Sequence, residues 1–542
     1  MFFETTLTDE RINEMAATGA WDNRLLDEWL VAHVSEKGDQ PFIHDRFGTM
    51  TWAEFGEEVT AVSRGLLEIG VRPGGVVMLQ LPNWRQFAVA VCAIERIGAV
   101  VNPVAPIFRT NEVTVMSDLA RPKVVITASE YRGFELGAMH AELRERCPWV
   151  DELVVVGDSG PADSMSWDEL LEHGRLSSYD GAAVALVRPN ANDVSEVMFT
   201  SGTTGQPKGV MHNHNTLNVA GSMFIDEVCS GIARQPNGPV FHMASTLAHQ
   251  TGYLYGIRAP IIAGGSVVYQ DSWNPTEFVG LVTEHRIQIS MGATPFLADV
   301  LAVDGIETAD LASWERFVCA GAAVPEPVLE RADATLPCVV LPGWGMTECG
   351  LLTVGRPSDP FELRITDGIA LPGNEVRVID EDGAAVTGVE GDLQFRGSLG
   401  FVGYKQGRAL TESVTTADGW IDTGDRAIHL DSGHIQISGR TKDLVIRGGE
   451  NVPVKEVEDV LLRHPAIENV AIVAQPHERL GEIGCAFVIA SGEAPSLADL
   501  TDFLANTGMT RQFWPEALVV VDEFPMTPSG KVQKYKLRDS TK

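Results

Sequence analysis

The segment FTSGTTGQPKG, residues 199–209, contains four small hydroxyl residues, three glycines and one lysine. Backbone N–H groups, hydroxyls and an ammonium group can together bind the β- and γ-phosphates of a nucleotide. The segment is not a Walker loop, because Pro207 precedes Lys208 and Gly209 follows it, which leaves no hydroxyl after the lysine to hold magnesium. We expect a phosphate-binding loop of another type, although the segment alone also fits a polar surface turn. Its candidate phosphate-binding residues are Thr200, Ser201, Gly202, Thr203, Thr204 and Lys208.

Further short motifs with charged or glycine-rich character follow the loop at long intervals. Taken alone, each has a structural explanation as well: Asp425 would cap a turn, Arg440 would form a surface ion pair, and Lys531 would be a solvated lysine. One such motif is a weak signal for function, whereas several in a fixed order are a strong one. The motifs are GWGMTE (343–348), WIDTGD (420–425), SGRTKDLVIRGGENV (438–452) and PMTPSGKVQK (525–534).

Together with the loop, these motifs resemble the motif set of the adenylate-forming (ANL) superfamily, which includes acyl-CoA synthetases, aryl-CoA ligases, peptide-synthetase adenylation domains and firefly luciferase. The resemblance covers nearly the whole chain. Within the superfamily, LAHQTGYLYG…MGATPFLADVL most resembles the short-chain fatty acyl-CoA and cyclohexanecarboxylate-CoA ligases. The resemblance implies that the protein uses ATP, Mg²⁺ and CoA. In the family reaction, a carboxylate attacks the α-phosphate of ATP to give acyl-AMP and pyrophosphate, and a thiol then displaces AMP.

The resemblance also implies catalytic roles. The family lysine that bridges the carboxylate and the α-phosphate corresponds to Lys531 in TPSGK. In GWGMTE, Thr347 would face the α-phosphate and Glu348 would hold magnesium, usually through water. Cations are needed at such a site because the carboxylate and the triphosphate repel each other.

Adenosine would contact residues from three motifs. Trp344, where the family often has tyrosine, would stack on adenine beside Gly345, unless it is a core residue. Asp425 would accept hydrogen bonds from both ribose hydroxyls, and Arg440 would reach ribose or phosphate. The small residues of CAGAAVP would let the backbone approach adenine or the acyl group; they are Gly321 and Ala322.

The acyl pocket is predicted around LAHQTG and MGATP. His249 matches the family residue at the pocket mouth, although a lone histidine is more often structural. Met291, Gly292 and Ala293 would line the floor, while Trp344 and Tyr255 would restrict its size. This pattern favours short, medium-chain or alicyclic acids.

A domain movement is implied by the last motifs. Lys442 falls at the family hinge position, where a few residues can absorb the change in φ and ψ. After adenylation, the movement would withdraw Lys531 from the active site and bring in Gly448 and Gly449 to flank a pantetheine tunnel. Alternatively, the two glycines would only form a hairpin turn. Lys455 is expected to face solvent.

The elements that must position these residues follow from the apolar pattern. Between residues 50 and 360, short β-rich runs alternate with amphipathic helices such as TWAEFGEEVTAVSRGLLEIG, which predicts parallel α/β layers. Residues 372–440 change to short strands and turns, which predicts a β-rich subdomain. We expect a large N-terminal domain over residues 1–441 and a small, mobile α+β domain over residues 442–542. The predicted strands are GAVVNPV, PKVVITA, ELVVVGD, SEVMFT, GSVVYQD, IQISMGA and RFVCAGA.

Composition narrows the class of protein. The 542 residues are 44% hydrophobic and 21% charged, as in multidomain globular proteins, and the formal net charge of −33 disfavours nucleic acid as a partner. No apolar run is long enough to span a membrane, and the acidic N-terminus does not resemble a secretory signal, so the cytosol is expected. The seven scattered cysteines predict buried thiols, neither a disulfide framework nor a zinc site: Cys92, Cys147, Cys229, Cys319, Cys338, Cys349 and Cys485.

The leading hypothesis is therefore an AMP-forming acyl-CoA synthetase acting on a small carboxylic acid. The alternatives are an enzyme that performs only one half-reaction, and an acyl-AMP ligase that loads a carrier protein in trans. A competitor of another class, a non-catalytic binder of nucleotides or acyl-adenylates, predicts loss of Lys531 or Glu348, and both residues are present. The sequence identifies neither the acid nor the oligomeric state.

Overall fold

The chain is described by a computed structural model that covers residues 3–200, 207–321, 324–440, 445–447, 450–477, 480–507, 509, 511–527 and 531–541. Its strands are β1 (Pro41–Asp45), β2 (Gly48–Thr51), β3 (Val76–Gln80), β4 (Val100–Pro103), β5 (Val124–Ala128), β6 (Glu152–Val156), β7 (Met165–Ser166), β8 (Val194–Thr200), β9 (Lys208–Asn213), β10 (Val240–Met243), β11 (Ser266–Tyr269), β12 (Ile289–Gly292), β13 (Arg316–Ala320), β14 (Val339–Met346), β15 (Gly350–Val354), β16 (Ile369–Ala370), β17 (Asn374–Ile379), β18 (Ala385–Val386), β19 (Glu390–Gly397), β20 (Gly403–Tyr404), β21 (Ile421–His429), β22 (Ile435–Arg440), β23 (Val445–Arg447), β24 (Glu450–Val452), β25 (Ile467–His477), β26 (Gly481–Ala490) and β27 (Ala517–Val520).

The α-helices lie between these strands and cover the sheet faces. They are α1 (Asp9–Ala17), α2 (Leu26–Lys37), α3 (Trp52–Glu68), α4 (Arg85–Arg96), α5 (Thr110–Ala120), α6 (Leu136–Arg146), α7 (Trp167–Leu176), α8 (Gly181–Ala185), α9 (His214–Val228), α10 (Gln250–Gly252), α11 (Ala259–Ala263), α12 (Pro275–His285), α13 (Thr294–Leu301), α14 (Glu326–Thr335), α15 (Phe361–Arg364), α16 (Arg408–Glu412), α17 (Val454–Leu461), α18 (Leu497–Asn506) and α19 (Lys534–Asp539). A π-helical turn, Tyr253–Arg258, joins α10 to α11.

Two α/β layers form most of the N-terminal domain, as predicted. One sheet has the order β16-β15-β14-β13-β12-β10-β11-β1-β2, and the other has the order β20-β9-β8-β4-β3-β5-β6-β7. Strands β14, β13, β12, β10, β11 and β1 are parallel, as are β8, β4, β3, β5, β6 and β7. Each of the seven predicted strands lies in one of these parallel cores.

The predicted helix at residues 51–70 is α3, and its ends have clear local causes. Thr51 caps the helix: its hydroxyl accepts a hydrogen bond from the Glu54 N–H, and the Glu54 carboxylate accepts one from the Thr51 N–H. The apolar face buries Trp52, Phe55 and Val59 completely. Spacing of three to four residues therefore decided both the type and the orientation of this element.

The remaining two sheets also follow the prediction. Within residues 372–440, five strands form an antiparallel sheet in the order β18-β17-β19-β21-β22, while β20 pairs with β9. The C-terminal domain has the order β24-β23-β26-β25 with β27 beside β26. In that domain α17 and α18 pack on the sheet through apolar residues that include Val457, Leu461 and Leu500. A large N-terminal domain and a small C-terminal domain are thus confirmed.

Some strands were not predicted from the sequence. β3 (VVMLQ) and β10 (VFHM) are short, fully buried runs, and a short apolar run has no periodicity that separates a strand from a helix. Both strands lie inside their sheets, where pairing with neighbouring strands stabilises the extended conformation that their local propensity alone does not specify.

All seven cysteines are free thiols, and six of them are buried as predicted, whereas Cys229 is partly exposed. Among the described residues, no group of three or more His, Cys, Asp or Glu side chains could hold a metal ion. Within the same part of the chain, no helix has the length and apolar character to cross a membrane.

Candidate active site

The candidate site lies where adjacent parallel strands of the first sheet end. Strands β10, β12, β13 and β14 are neighbours, and their carboxyl ends meet at one edge of the sheet. In open α/β sheets, ligands bind at this edge. The predicted residues follow these strands closely: His249 comes after β10, Met291–Ala293 ends β12, Gly321 follows β13, and Trp344–Glu348 ends β14.

The ends of the predicted phosphate loop belong to the second sheet. Thr200 ends β8, Lys208 begins β9, and the two residues are directly opposed in an antiparallel pair. Gln406 fixes the exit of the loop, since its amide accepts a hydrogen bond from the Gly209 N–H (3.1 Å) and donates one to the Pro207 carbonyl (2.6 Å). The strand pair therefore fixes Lys208 at the exit of the predicted loop.

Lys208 and Glu348 are connected through a tyrosine that the sequence analysis missed. The ammonium group of Lys208 lies 4.9 Å from the ring centroid of Tyr404. The Tyr404 hydroxyl donates a 2.6 Å hydrogen bond to the Glu348 carboxylate, and burial together with that carboxylate raises the pKa of Tyr404 well above its usual value. Tyr404 lies on β20, nearly 200 residues after Lys208, and no local pattern marks it. The phenol orients Glu348, which is 5% exposed.

A second missed residue, His212, supports the backbone of GWGMTE. Its Nε2 lies 2.8 Å from the Thr347 carbonyl oxygen, which can only accept, so Nε2 carries the proton. Burial lowers the pKa of His212 to about 4, so the ring is neutral near pH 7. Thr347 itself is partly exposed and free to face the site.

Trp344 and Asp425 are joined directly. The indole N–H of Trp344 donates a 2.9 Å hydrogen bond to Oδ2 of Asp425. Both residues are 7% exposed, so Trp344 also belongs to the core. Asp425 opposes Arg440 in the antiparallel pairing of β21 with β22. The predicted ribose residue and the predicted adenine residue are thus parts of one contact.

Close packing explains the glycine in GWGMTE. A Cβ at Gly345 would lie 1.9 Å from the carbonyl oxygen of Gly350, so no other residue fits between β14 and β15.

Lys531 lies at the same edge of the sheet although it comes from the C-terminal domain. A Cβ placed on Gly321 would be 3.3 Å from Cε of Lys531, and Gly321 has a φ of +95°, which favours glycine. Burial and the positive charge of Lys531 lower the pKa of His249 to about 4. A hairpin holds Lys531: its N–H donates to the Thr527 hydroxyl (3.0 Å), and its carbonyl accepts from the Thr527 N–H (2.7 Å).

Among the residues that the structure describes, two ion pairs join the C-terminal domain to the N-terminal domain in this position. Nζ of Lys455 is 3.7 Å from Oδ2 of Asp367, and Arg463 donates a 2.8 Å hydrogen bond to Glu326, the first residue of α14. The expectation that Lys455 faces solvent was wrong: its side chain is 16% exposed. The error arose because the apolar face of α17 packs on its own domain, so the opposite face was expected to be exposed. That face, which carries Lys455, packs against the N-terminal domain.

The predicted acyl pocket is closely packed. Met291 and Ala293 are buried, at 6% and 3% exposure, and Phe296 lies over Gly292, with its ring 3.1 Å from where a Cβ would be. Tyr255 is also buried, and its hydroxyl accepts a 2.8 Å hydrogen bond from the Leu351 N–H. The Tyr255 contact places LAHQTGYLYG beside the start of β15, whereas MGATP lies at the end of β12.

Some predicted site residues cannot be placed. Ser201, Gly202, Thr203, Thr204, Ala322, Lys442, Gly448 and Gly449 lie outside the described residues, so their roles stay predictions.

Glu348 suits a magnesium ion. Mg²⁺ is commonly bound by one or two carboxylates, water and the phosphates of its substrate, without a full cage of protein ligands. Glu348 offers one oriented carboxylate beside Thr347 and on the same side as Lys208, which fits that mode.

Comparisons with known proteins give the family and the fold of the chain. A family model described as AMP-binding enzyme matches residues 30–405, and one described as AMP-binding enzyme C-terminal domain matches residues 456–531. The chain is 30% identical over 538 residues to the medium-chain fatty-acid–CoA ligase of Escherichia coli (strain K12), covering 98% of this chain and 93% of that protein. It is 29% identical over 549 residues to the salicyl-AMP ligase / salicyl-S-ArCP synthetase of Mycobacterium tuberculosis (strain ATCC 25618 / H37Rv), with 97% and 92% covered. The crystal structure of the anthranilate CoA ligase AuaEII in complex with anthranoyl-AMP has the same fold, with a TM-score of 0.85 at 22% identity over 96% of this chain and 97% of that one.

Proposed function

This chain belongs to the AMP-binding enzyme family, and on that premise we propose that it activates a carboxylic acid with ATP and transfers the acyl group to CoA. The first step forms acyl-AMP and pyrophosphate, and the second forms acyl-CoA and AMP. The observation that carries the proposal is the position of Lys531, which reaches from the C-terminal domain to Gly321 at the end of β13. Two lysines from distant parts of the chain, Lys208 and Lys531, then act on one ATP.

In the adenylation step, the chain must bring a carboxylate to a polyanion. Lys531 neutralises the carboxylate and the α-phosphate as the new C–O–P bond forms, and Lys208 neutralises the phosphates that leave as pyrophosphate. Thr347 donates to the α-phosphate from a backbone that His212 holds. Magnesium, when bound at Glu348, supplies further neutralisation of the phosphate charge. Asp425, oriented by Trp344, accepts hydrogen bonds from the ribose.

The second step requires the C-terminal domain to move. We place the boundary between residues 1–441 and 442–542, with Lys442 as the hinge. Movement withdraws Lys531 and brings Gly448 and Gly449 to the site, where the absence of side chains leaves room for the pantetheine thiol. The ion pairs Lys455–Asp367 and Arg463–Glu326 must break in this movement. Polar contacts of this kind are typical of interfaces between domains that move relative to each other.

The acid is a short, medium-chain or alicyclic one in this proposal. The relative from E. coli is a medium-chain fatty-acid–CoA ligase, and the predicted pocket segment MGATP of this chain includes the small residues Gly292 and Ala293. Salicyl-AMP ligase / salicyl-S-ArCP synthetase supports a second candidate function, loading of the acyl group onto a carrier protein in trans.

Pyrophosphate release over a panel of carboxylic acids, with and without CoA, tests the proposal. We expect release with at least one acid, and a CoA-dependent acyl thioester with the same acid. Pyrophosphate release without formation of a CoA thioester, together with acyl transfer to a supplied phosphopantetheinyl carrier, would favour the carrier-loading function. A protein that releases no pyrophosphate and uses no supplied acyl-AMP would refute both.

A further inference from the structure

The side chain of Arg11, in helix α1, binds three backbone carbonyls at the end of β19 and in the turn that follows it. Its Nη1 donates a 3.1 Å hydrogen bond to the carbonyl of Phe401. Its Nη2 donates to the carbonyls of Gly397 (3.5 Å) and Gly400. A guanidinium group carries five N–H donors in one plane and no acceptor, so it can bind several carbonyls at once. Arg11 therefore holds three peptide groups of residues 397–404, the segment from the end of β19 to β20, in a fixed relative orientation.

Two more residues near the N-terminus bind the same segment, residues 397–404. The indole N–H of Trp21 donates a 3.0 Å hydrogen bond to the Ser398 carbonyl, and the N–H of Thr6 donates a 2.9 Å bond to the Val402 carbonyl. Trp21, Ser398 and Val402 are all buried. Because a buried carbonyl that loses its donor is left unpaired at a cost in free energy, the conformation of this segment depends on the N-terminal residues that bind it.

The 397–404 segment in turn holds Glu348 at two points. The N–H of Phe401 donates a 2.8 Å hydrogen bond to the Glu348 carbonyl, and the hydroxyl of Tyr404 donates a 2.6 Å bond to the Glu348 carboxylate. Phe401 thus accepts from Arg11 through its carbonyl and donates to Glu348 through its N–H. A single residue therefore connects Arg11 with the side chain proposed to hold magnesium.

The charge of Arg11 also acts on the residue that supports the backbone of GWGMTE. Burial and the positive charge of Arg11 lower the pKa of His212 to about 4, while the hydrogen bond to the Thr347 carbonyl acts in the opposite direction. Nε2 of His212 donates that bond at 2.8 Å. Arg11 is therefore near enough to influence the support of Thr347 as well as that of Glu348.

We infer that Arg11 is a positioning residue for adenylation: it fixes the conformation of residues 397–404, so that Glu348 keeps the orientation in which it binds the magnesium of MgATP. The inference rests on the proposed function, since it concerns the MgATP site of that reaction. Substituting a residue that orients a metal-binding side chain typically changes metal affinity or activity by about ten- to a hundredfold. A residue that only attached the N-terminus to the domain would change stability without distinguishing MgATP from metal-free ATP.

Binding of ATP to the full-length protein tests the inference without turnover. Calorimetric titrations are made in the absence of acid, once with Mg²⁺ and once with EDTA. Arg11→Met is expected to raise Kd for MgATP about tenfold and Kd for metal-free ATP less than about twofold, because only MgATP uses the Glu348 carboxylate. Arg24→Met is the matched control, since Arg24 is also near the N-terminus and stacks on Trp29, 3.9 Å from the ring centroid. Equal changes in the two Kd values, or no change, would overturn the inference.

The two half-reactions then separate positioning from folding. Arg11→Met should slow acid-dependent pyrophosphate exchange about tenfold and spare thioester formation from supplied acyl-AMP, in which pyrophosphate has already left. Arg11→Lys keeps the charge with fewer donors and should recover part of the exchange rate. If Arg11→Met does not fold, Arg11→Lys and Trp21→Phe carry the test, each with a smaller loss that is confined to exchange.

Two kinetic outcomes would contradict the inference, and they differ in what else they exclude. Equal losses in both half-reactions, or an unchanged exchange rate in the Arg11 variants, would give Arg11 a purely structural role and leave the proposed function intact. A wild-type protein that is inactive in both half-reactions would overturn the proposed function together with the inference.

Discussion

Lys455 of the C-terminal domain contacts Asp367 of the N-terminal domain, with 3.7 Å between Nζ and Oδ2. Asp367 is 6% exposed, and the same carboxylate accepts a 2.7 Å hydrogen bond from the Ile437 N–H. The contact therefore ties α17 to a carboxylate that is bonded to β22 of the N-terminal domain. It holds the orientation in which Lys531 lies beside Gly321.

Weakening this docking should slow adenylation selectively. Lys455→Met is expected to reduce acid-dependent pyrophosphate exchange about fivefold, since a lost ion pair of about 1 kcal/mol changes an equilibrium by roughly that factor. Thioester formation from supplied acyl-AMP should be unaffected. Lys123→Met is the control, because Lys123 forms an exposed pair with Asp151 within the N-terminal domain.

The second docking pair allows a charge exchange. Arg463→Glu should slow pyrophosphate exchange, and the double variant Arg463→Glu/Glu326→Arg should recover most of the rate because the attraction is restored. The measurement is a double-mutant cycle on the exchange rate. Additive effects of the two substitutions would mean that the 2.8 Å contact contributes nothing to docking in solution.

Lys531→Ala should nearly abolish adenylation, by about a hundredfold or more, because the charge that bridges carboxylate and α-phosphate is lost. Thioester formation from supplied acyl-AMP should be largely spared. Pyrophosphate release and thioester formation are measured separately. The control is Lys536→Ala, an exposed lysine on α19; unchanged release in Lys531→Ala would exclude the bridging role.

The same variant should change the ionisation of His249. Burial and the charge of Lys531 lower the pKa of His249 to about 4, so Lys531→Ala removes one of the two causes and the pKa should rise toward 6.5. Histidine-selective NMR titration, with His249→Gln for assignment, gives the value. An identical pKa in both proteins would mean that Lys531 is not near His249 in solution, whatever the kinetic result.

Trp344→Phe should raise KM for ATP about tenfold with little change in kcat, because a hydrogen bond to a charged group contributes about 1.5–3 kcal/mol and ribose binding is the same in ground and transition states. Steady-state kinetics at saturating acid measure this. Trp149→Phe removes an indole N–H that binds Ser117 at 3.3 Å, and it should leave KM unchanged. Equal changes in the two variants would indicate general destabilisation instead.

His212 should make the protein less stable in acid. Its folded pKa of about 4 lies below the unfolded value of about 6.5, so the unfolded state binds more protons between these pH values. The free energy of unfolding therefore falls as pH falls from 6.5 to 4, by about 1.4 kcal/mol per pH unit. His212→Gln lacks this loss, so its stability relative to the wild type should improve from pH 7 to pH 5 in denaturant unfolding. Parallel curves would show that His212 is not held neutral.

Much of the fold could be predicted from the sequence because its causes are local. Helix α3 followed from apolar spacing, and strands such as β5 and β12 followed from short β-branched runs between turns. The order of the motifs was sufficient to predict the family and the candidate residues. β3 and β10 were missed because a short buried run carries no period of its own.

The sequence by itself determined which residues are available for the chemistry: Lys208, Thr347, Glu348, Asp425 and Lys531. Only the tertiary structure decided their relations, such as Tyr404 between Lys208 and Glu348, His212 on the carbonyl of Thr347, and Lys455 against Asp367. Each of these contacts joins elements that are far apart along the chain. Local periodicity reports only which face of an element is apolar, whereas the partner of that face depends on how sheets and domains pack, and no short window of sequence contains that information.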